Sequence, residues 1–409
     1  MTEPASRTST ATPTAATAAP TAEPAPPGAL TLALLWLAGF DLRVTLLAVP
    51  PVIPAIHRDL GLDEKGVSIL TGLPVLLLAI AAIPGSLLIA RLDARRALVA
   101  GLLAVGAGGA LRGVGPAVAP LFAMTLVMGA GVAVSQPTFP TLTRAWFPAR
   151  LALATAVYSN GLLFGETVPA SLTGTVVAPA LRGSWPLALA FWSIPCFLAA
   201  GLLLTLTRDP HRPAGVPRRW MPDFRDGQMW RLGLTMGAAS AAYFGTNAFI
   251  PDFVRATGHA GLKDAALTCL NASQLAASVG MLALGPRIAG RRGPFVAAGA
   301  LLATAPIALV LTPGPLTVLW AGVIGFASAV ALVLTLALPP LLAAEPDVPR
   351  FSAGLFLIIY ASSFAGPLVG GAVWDATGWP PAVFMVLAAG GAAMVALAAG
   401  ADLRRRAST

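Results

Sequence analysis

The chain is 409 residues long, 56% hydrophobic and only 11% charged, whereas a soluble protein of this size carries about 25% charged residues. That balance excludes a soluble globular enzyme and points to a chain that crosses a membrane many times. The net charge of +9 does not mark a nucleic-acid binder. The arginines fall in short clusters between apolar runs, and no zinc-finger, RNP-like or basic amphipathic pattern occurs, so no nucleic-acid partner is expected.

Residues 1–28 are Thr, Ala and Pro in low-complexity order. They lack the basic start and apolar run of a secretory signal and are expected to form a disordered tail. The first apolar run, Ala29 to Ile56, holds Asp41 and Arg43 near its middle. A crossing takes roughly 20 residues, which puts Arg43 near the midplane, where a cation costs at least about 2.5 kcal/mol and is expected to face a polar cavity. Its guanidinium can hold a planar carboxylate or similar anion by two parallel hydrogen bonds, a geometry lysine cannot reproduce. Pairing with Asp41 is the competing role, although residues two apart on a helix point apart. Arg43 and Asp41 are both candidate substrate-binding residues.

Eleven further apolar runs follow, at 67–90, 96–116, 118–142, 151–177, 187–207, 230–254, 264–286, 294–312, 315–343, 350–373 and 381–402. Lipid offers backbone groups no partner, so all twelve are expected to be helices. Arg112, at the end of the third span, is expected to snorkel to the surface. The fourth carries Gln136 beside Pro137 and four residues before Pro140, where a bend is expected. The fifth carries Tyr158, Asn160 and Glu166. Glu166 lies about 15 residues, or roughly 22 Å, beyond the start of its span. Its charged form is costly there unless a cation such as Arg43 stands beside it, which makes it the candidate proton-coupling group.

In the second half of the chain, Tyr243 and Asn247 share a face of the seventh span, Asn271 and Gln274 a face of the eighth, and Tyr360, Ser362 and Ser363 lie mid-span in the eleventh. Gln136, Tyr158, Asn160, Tyr243, Asn247, Asn271, Gln274 and Tyr360 are candidate substrate-binding residues, with hydrogen bonding between helices as the competing role. Asp252 and Arg255 read as a solvated pair. The runs Gly106-Ala-Gly108-Gly109 and Gly129-x-Gly131 follow no strand and read as close helix packing, not phosphate loops. Cys196 and Cys269 lie in apolar runs, and His57, His211 and His259 lack a second ligand at metal spacing, so neither a metal site nor a cofactor is expected. There is no G-x-x-x-x-G-K-[ST], and Lys65 and Lys263 are the only lysines, which argues against ATP hydrolysis.

Basic residues cluster after even-numbered spans: Arg91, Arg95 and Arg96; Arg144 and Arg150; Arg208, Arg212, Arg218, Arg219 and Arg225; Arg287, Arg291 and Arg292; and Arg404 to Arg406. On the other side, Arg58 and Lys65 are offset by Asp59, Asp63 and Glu64. The positive-inside rule therefore makes both termini and the 208–229 linker cytoplasmic. The halves also repeat. Ile53-Pro54, Arg58 and Gly61 return as Ile250-Pro251, Arg255 and Gly258 at an offset of 197; Arg91-Leu-Asp-Ala-Arg95-Arg96 returns as Arg287-Ile-Ala-Gly-Arg291-Arg292; and Trp185-Pro186 returns as Trp379-Pro380. Two six-span bundles, 29–207 and 230–403, with a tail at 404–409, are expected to enclose a midplane site.

Twelve spans, a basic central linker and the paired loops RLDARR and RIAGRR resemble the major facilitator superfamily, whose signature after the second helix ends in D-R-x-G-R-R. Arg91, Leu92 and Ala94 stand here where that signature has Asp, Arg and Gly. The stretch DLRVTLLAVPPVIPAI is similar to the N-L-R-x-x-x-x-x-x-x-P-x-x-P pattern of the cyanate and 2-nitroimidazole transporter branch, with Asp41 in place of Asn. Gly366-Pro-Leu-Val-Gly370-Gly371 resembles the G-P-x-x-G-G element that antiporters of the superfamily carry in the fifth helix, although here it lies in the eleventh. The resemblance implies an all-α membrane fold of twelve helices in two pseudo-symmetric bundles, with Arg91, Asp93, Arg95, Arg96, Arg287, Arg291 and Arg292 in gating roles. The expected function is secondary transport of a small anionic or polar solute, as proton-coupled uptake across the plasma membrane by a monomer. The partners are then the solute, the bilayer and a proton or ion gradient. Efflux of drugs or metabolites is the alternative. An enzyme is not expected, because the spans hold no histidine or convergent catalytic set.

Overall fold

The computed structural model describes residues 28–61, 70, 73, 76–80, 82–115, 117–208 and 220–400. The expected tail at 1–28 except for Gly28, the tail at 404–409, the charged turn with Asp63, Glu64 and Lys65, and the linker residues His211, Arg212, Arg218 and Arg219 lie outside the described residues.

Helices occupy all twelve expected positions: α1 (Ala29–Leu47), α2 (Ala82–Leu92), α3 (Ala94–Leu111), α4 (Val118–Ser135), α5 (Leu151–Leu172), α6 (Trp185–Leu206), α7 (Gly227–Ala256), α8 (Lys263–Ile288), α9 (Arg292–Leu311), α10 (Leu316–Leu336), α11 (Val348–Thr377) and α12 (Ala382–Ala399). Local chemistry explains several boundaries. Pro50 and Pro51 cannot donate backbone hydrogen bonds, so α1 stops at Leu47 and the chain passes through a 3-10 turn, Pro50–Val52, before Ile53–Leu60 resumes the helix. The expected bend near Gln136 is present: α4 ends there, and Thr138–Trp146 continues it after Pro137. Asp226 caps α7 by accepting from the backbone N–H groups of Gln228 and Met229, so that helix starts three residues before the expected 230. Among the described residues, nine helices are long and apolar enough to cross a membrane.

α1 packs on α5 and α6, and α3 on α4 and α6; α7 packs on α11 and α12, α8 on α10, and α9 on α10 and α12. The α1–α5 pair is thus repeated by α7–α11, as the sequence duplication implies. Glycine permits the tightest of these approaches. A Cβ on Gly101 would meet Ser135 and the Gly131 carbonyl, and one on Gly108 would meet the Met128 backbone, so the glycine runs serve helix packing as expected. The two halves meet through α5 on α8, α2 on α11, and Thr138–Trp146 on α11 and on the short helix Leu338–Leu342. Arg144 donates to the Pro340 carbonyl, and Leu163, Ala277 and Ala329 form a small buried seam. These contacts join the halves at the end of the molecule that carries the basic connections.

Candidate functional site

The site begins with a backbone contact. Gly161 and Gly165 stand one turn apart on α5, facing α1, and a Cβ on either would strike the carbonyl of Trp36 or Phe40; Gly39 of α1 faces the Tyr158 carbonyl in the same way. Three missing side chains therefore let the two helices touch. Glu166 follows Gly165 directly, and its Oε1 lies 3.4 Å from Arg43 Nε, with both side chains nearly buried. The opposite half adds Tyr360 of α11, which accepts a 3.0 Å hydrogen bond from Arg43 Nη2 and stacks on Phe356. Tyr243 of α7 donates to Asn271 Oδ1 of α8 at 2.8 Å, and Asn271 is held in turn by the Leu267 carbonyl.

Two spaces that share Arg43, Glu166, Tyr243 and Phe244 as lining surround this cluster. One, of about 210 Å³, is lined by Arg43, Glu166, Tyr243 and Phe244 together with Leu46, Leu47, Val49, Pro50, Leu70, Leu78 and Arg112. It runs from the ion pair to the exposed Pro50, at the end opposite the basic connections. The other, about 40 Å³, lies deeper against Ser240, Gln274, Ser328, Phe356 and Tyr360. A buried cation with one carboxylate partner and one neutral partner, beside a space that reaches the surface, is suited to exchange its carboxylate for another anion.

Of the candidates from sequence, Arg43, Glu166, Tyr243, Gln274 and Tyr360 are brought together. Asn271 stands behind Tyr243, and Asn247, one turn from Tyr243 on α7, lines neither space. Four others do not line either space. Asp41 is fully buried on the opposite face of α1, with no hydrogen bond to either carboxyl oxygen, because a two-residue step turns the side chain away from Arg43. Asn160 accepts from Trp36 Nε1 at 2.8 Å and donates to Ser278 Oγ at 3.0 Å, so its amide ties α1, α5 and α8 together. Tyr158 stacks on Phe139 and reaches the Leu336 carbonyl. Gln136 is buried at the end of α4 with Oε1 unpartnered.

Arg112 is not at the surface. The expected snorkelling fails because the side chain folds inward to the Thr45 carbonyl at 3.0 Å and to Met128 Sδ, leaving it 2% exposed. The solvated pair of Asp252 and Arg255 is as expected. At the basic end, Arg95 donates to the Leu203 and Leu204 carbonyls and to Thr207 Oγ1, closing the end of α6. Arg292 reaches the Ala399 carbonyl of α12 and Arg287 its own Ala283 carbonyl, while Arg91, Arg96 and Arg291 are exposed. Asp93 stands at φ 71° between α2 and α3, a left-handed position that costs a non-glycine residue of order 1–3 kcal/mol. Sequence reasoning missed Ser240, Phe244, Ser328 and Phe356. Ser240 was within reach, since it lies 197 residues after Arg43.

A family profile described as the Major Facilitator Superfamily matches residues 33–338. The chain is 27% identical over 313 residues to the cyanate transport protein CynX of Escherichia coli (strain K12), covering 75% of this chain and 80% of that one. It is 27% identical over 346 residues to the 2-nitroimidazole transporter of the same strain, covering 82% and 86%. Its fold matches the crystal structure of the superfamily transporter FucP in the outward conformation with a TM-score of 0.74 at 14% identity, over 93% of this chain and 99% of that one.

Proposed function

Because this chain belongs to the major facilitator superfamily and is therefore a multi-pass membrane transporter, we propose that it takes up a small anion or small polar solute together with a proton, and that Arg43 holds the solute. One observation carries the reading: a nearly buried guanidinium, ion-paired with Glu166 of its own half and donating a hydrogen bond to Tyr360 of the other, stands at the wall of a space that reaches the exposed Pro50. An arriving anion replaces Glu166 at the guanidinium. A carboxylate left alone at that depth is costly, so Glu166 takes up a proton as it is displaced, and the two events are coupled. Tyr360 carries the change into the second half, and rocking of the bundles then turns the site to the other side.

The basic connections, which the positive-inside rule places in the cytoplasm, support an outward-open reading of this structure, with both termini cytoplasmic in the plasma membrane of a monomeric transporter. Cyanate and 2-nitroimidazole, named for the two relatives, are compact and linear or planar, which suits a guanidinium at the wall of a space of about 210 Å³. The test is uptake of labelled cyanate, nitrite, carboxylates and 2-nitroimidazole into proteoliposomes under an imposed pH gradient. A charge-assisted hydrogen bond contributes about 1.5–3 kcal/mol, so Arg43→Gln lowers uptake roughly 10- to 100-fold; wild-type uptake by that variant overturns the assignment. Glu166→Gln abolishes the dependence on the gradient, and a variant that keeps it removes the coupling role.

A further inference from the structure

We infer that Arg112 is a second anion-binding group in the same cavity, one that receives a small planar or linear monoanion before it reaches Arg43. The inference rests on the reading of Arg43 above and names the ligand class of that site. Arg112 lines the 210 Å³ space together with Arg43 and Glu166, and it is held at the carbonyl of Thr45, two residues beyond Arg43 on α1 in the direction of the open end. Its position at the end of α3 would let a long side chain reach the surface, yet the chain folds inward and is 2% exposed.

What the guanidinium meets there is neutral: a carbonyl, the sulfur of Met128, and nothing at Nε. Among the described residues no carboxylate forms an ion pair with it. Glu166 is engaged with Arg43, and Asp41, one turn before Thr45, has no partner for either carboxyl oxygen. The remaining lining near the open end is apolar, from Leu46, Leu47, Val49, Leu70 and Leu78. Apolar walls strengthen the attraction of a cation for an anion, and a buried cation without a counter-charge is destabilising until one arrives. Among the described residues, two cations and one carboxylate line this space, which leaves one positive charge unbalanced, the complement of a monoanion. A planar guanidinium whose Nε is buried without a partner suits nitrate, formate or cyanate, which accept from more than one donor in a plane. The anion binds Arg112 first, while Arg43 and Glu166 remain paired, and then moves to Arg43 as Glu166 is released.

A structural strut joining α1, α3 and α4 would hold the same bonds to Thr45 and Met128, so the test must read binding. Purified full-length protein in detergent is titrated with sodium nitrate and sodium formate, at ionic strength held constant with gluconate, and thermal stabilisation is read for wild type, Arg112→Met, Arg112→Lys and Arg43→Gln. Wild type shows saturable stabilisation. Arg112→Met weakens the apparent affinity at least about 10-fold, and Arg112→Lys, which keeps the charge without the fork, weakens it by a smaller factor. Should the methionine variant fail to fold, the lysine variant decides. Wild-type affinity in a folded Arg112 variant overturns the inference; if Arg43→Gln still weakens binding in that case, the reading of Arg43 survives it. Weakening by the Arg112 variants alone supports Arg112 and removes Arg43. Absence of saturable stabilisation in wild type removes both.

Discussion

Arg43 and Glu166 should behave as one energetic unit. Their contact is 3.4 Å, and two unit charges at that distance attract by about 5 kcal/mol at an effective dielectric of about 20. Removing one partner strands the other, at a cost of about 3–5 kcal/mol for a buried pair, whereas removing both leaves neutral groups. Arg43→Gln and Glu166→Gln are each expected to lose about 3 kcal/mol, and the double variant is expected to fall short of the sum by about that amount. For a unit of 150–250 residues, the size of one bundle, 1 kcal/mol corresponds to about 2–4 °C. Each single variant then melts roughly 6–12 °C below wild type by tryptophan fluorescence in detergent, and the double variant lies near the singles. Tyr360→Phe removes the bond across the halves but leaves the pair, so it costs about 1–2 kcal/mol and preserves the coupling. Additive losses in the double variant would refute the pairing and, with it, the displacement of Glu166 by an anion.

Three further outcomes follow from the packing. Gly161→Leu would drive a side chain into the Trp36 carbonyl and should cost at least about 1–3 kcal/mol and abolish uptake by parting α1 from α5; Gly201→Ala, with open space around it, should match wild type in melting temperature and transport. Arg144→Ala loses the bond to the Pro340 carbonyl and should open the basic end more often, read as faster maleimide labelling of Leu163→Cys in the buried seam, in a chain with Cys196→Ser and Cys269→Ser. Arg95→Gln frees the Leu203 and Leu204 carbonyls at the end of α6 and should lower stability by about 1–3 kcal/mol without changing apparent solute affinity.

The sequence by itself determined the twelve helices, the duplication and the polar depth of the site. Lipid leaves a backbone no alternative to helix, and residue counts convert directly into depth through a fixed rise. Local chemistry also settled the bend at Gln136, which depends on neighbours in sequence; the break at Pro50-Pro51, inside a run read as one span, has an equally local cause that the apolar count passed over. Azimuth was decided only in three dimensions. Asp41 and Arg43 were bound to point apart, but nothing in the chain told which of the two would face the cavity. Asn160 sits at a suitable depth and spends its amide on Trp36 and Ser278, while Glu166 reaches Arg43. Arg112 lies where a side chain usually reaches water, yet the Thr45 carbonyl and Met128 draw it inward. The face a helix presents to the cavity is set by where its neighbours can approach, and that is a property of paired surfaces: Gly39 against Gly161 and Gly165 brings two backbones together, and only that contact turns Glu166 towards a cation more than a hundred residues away.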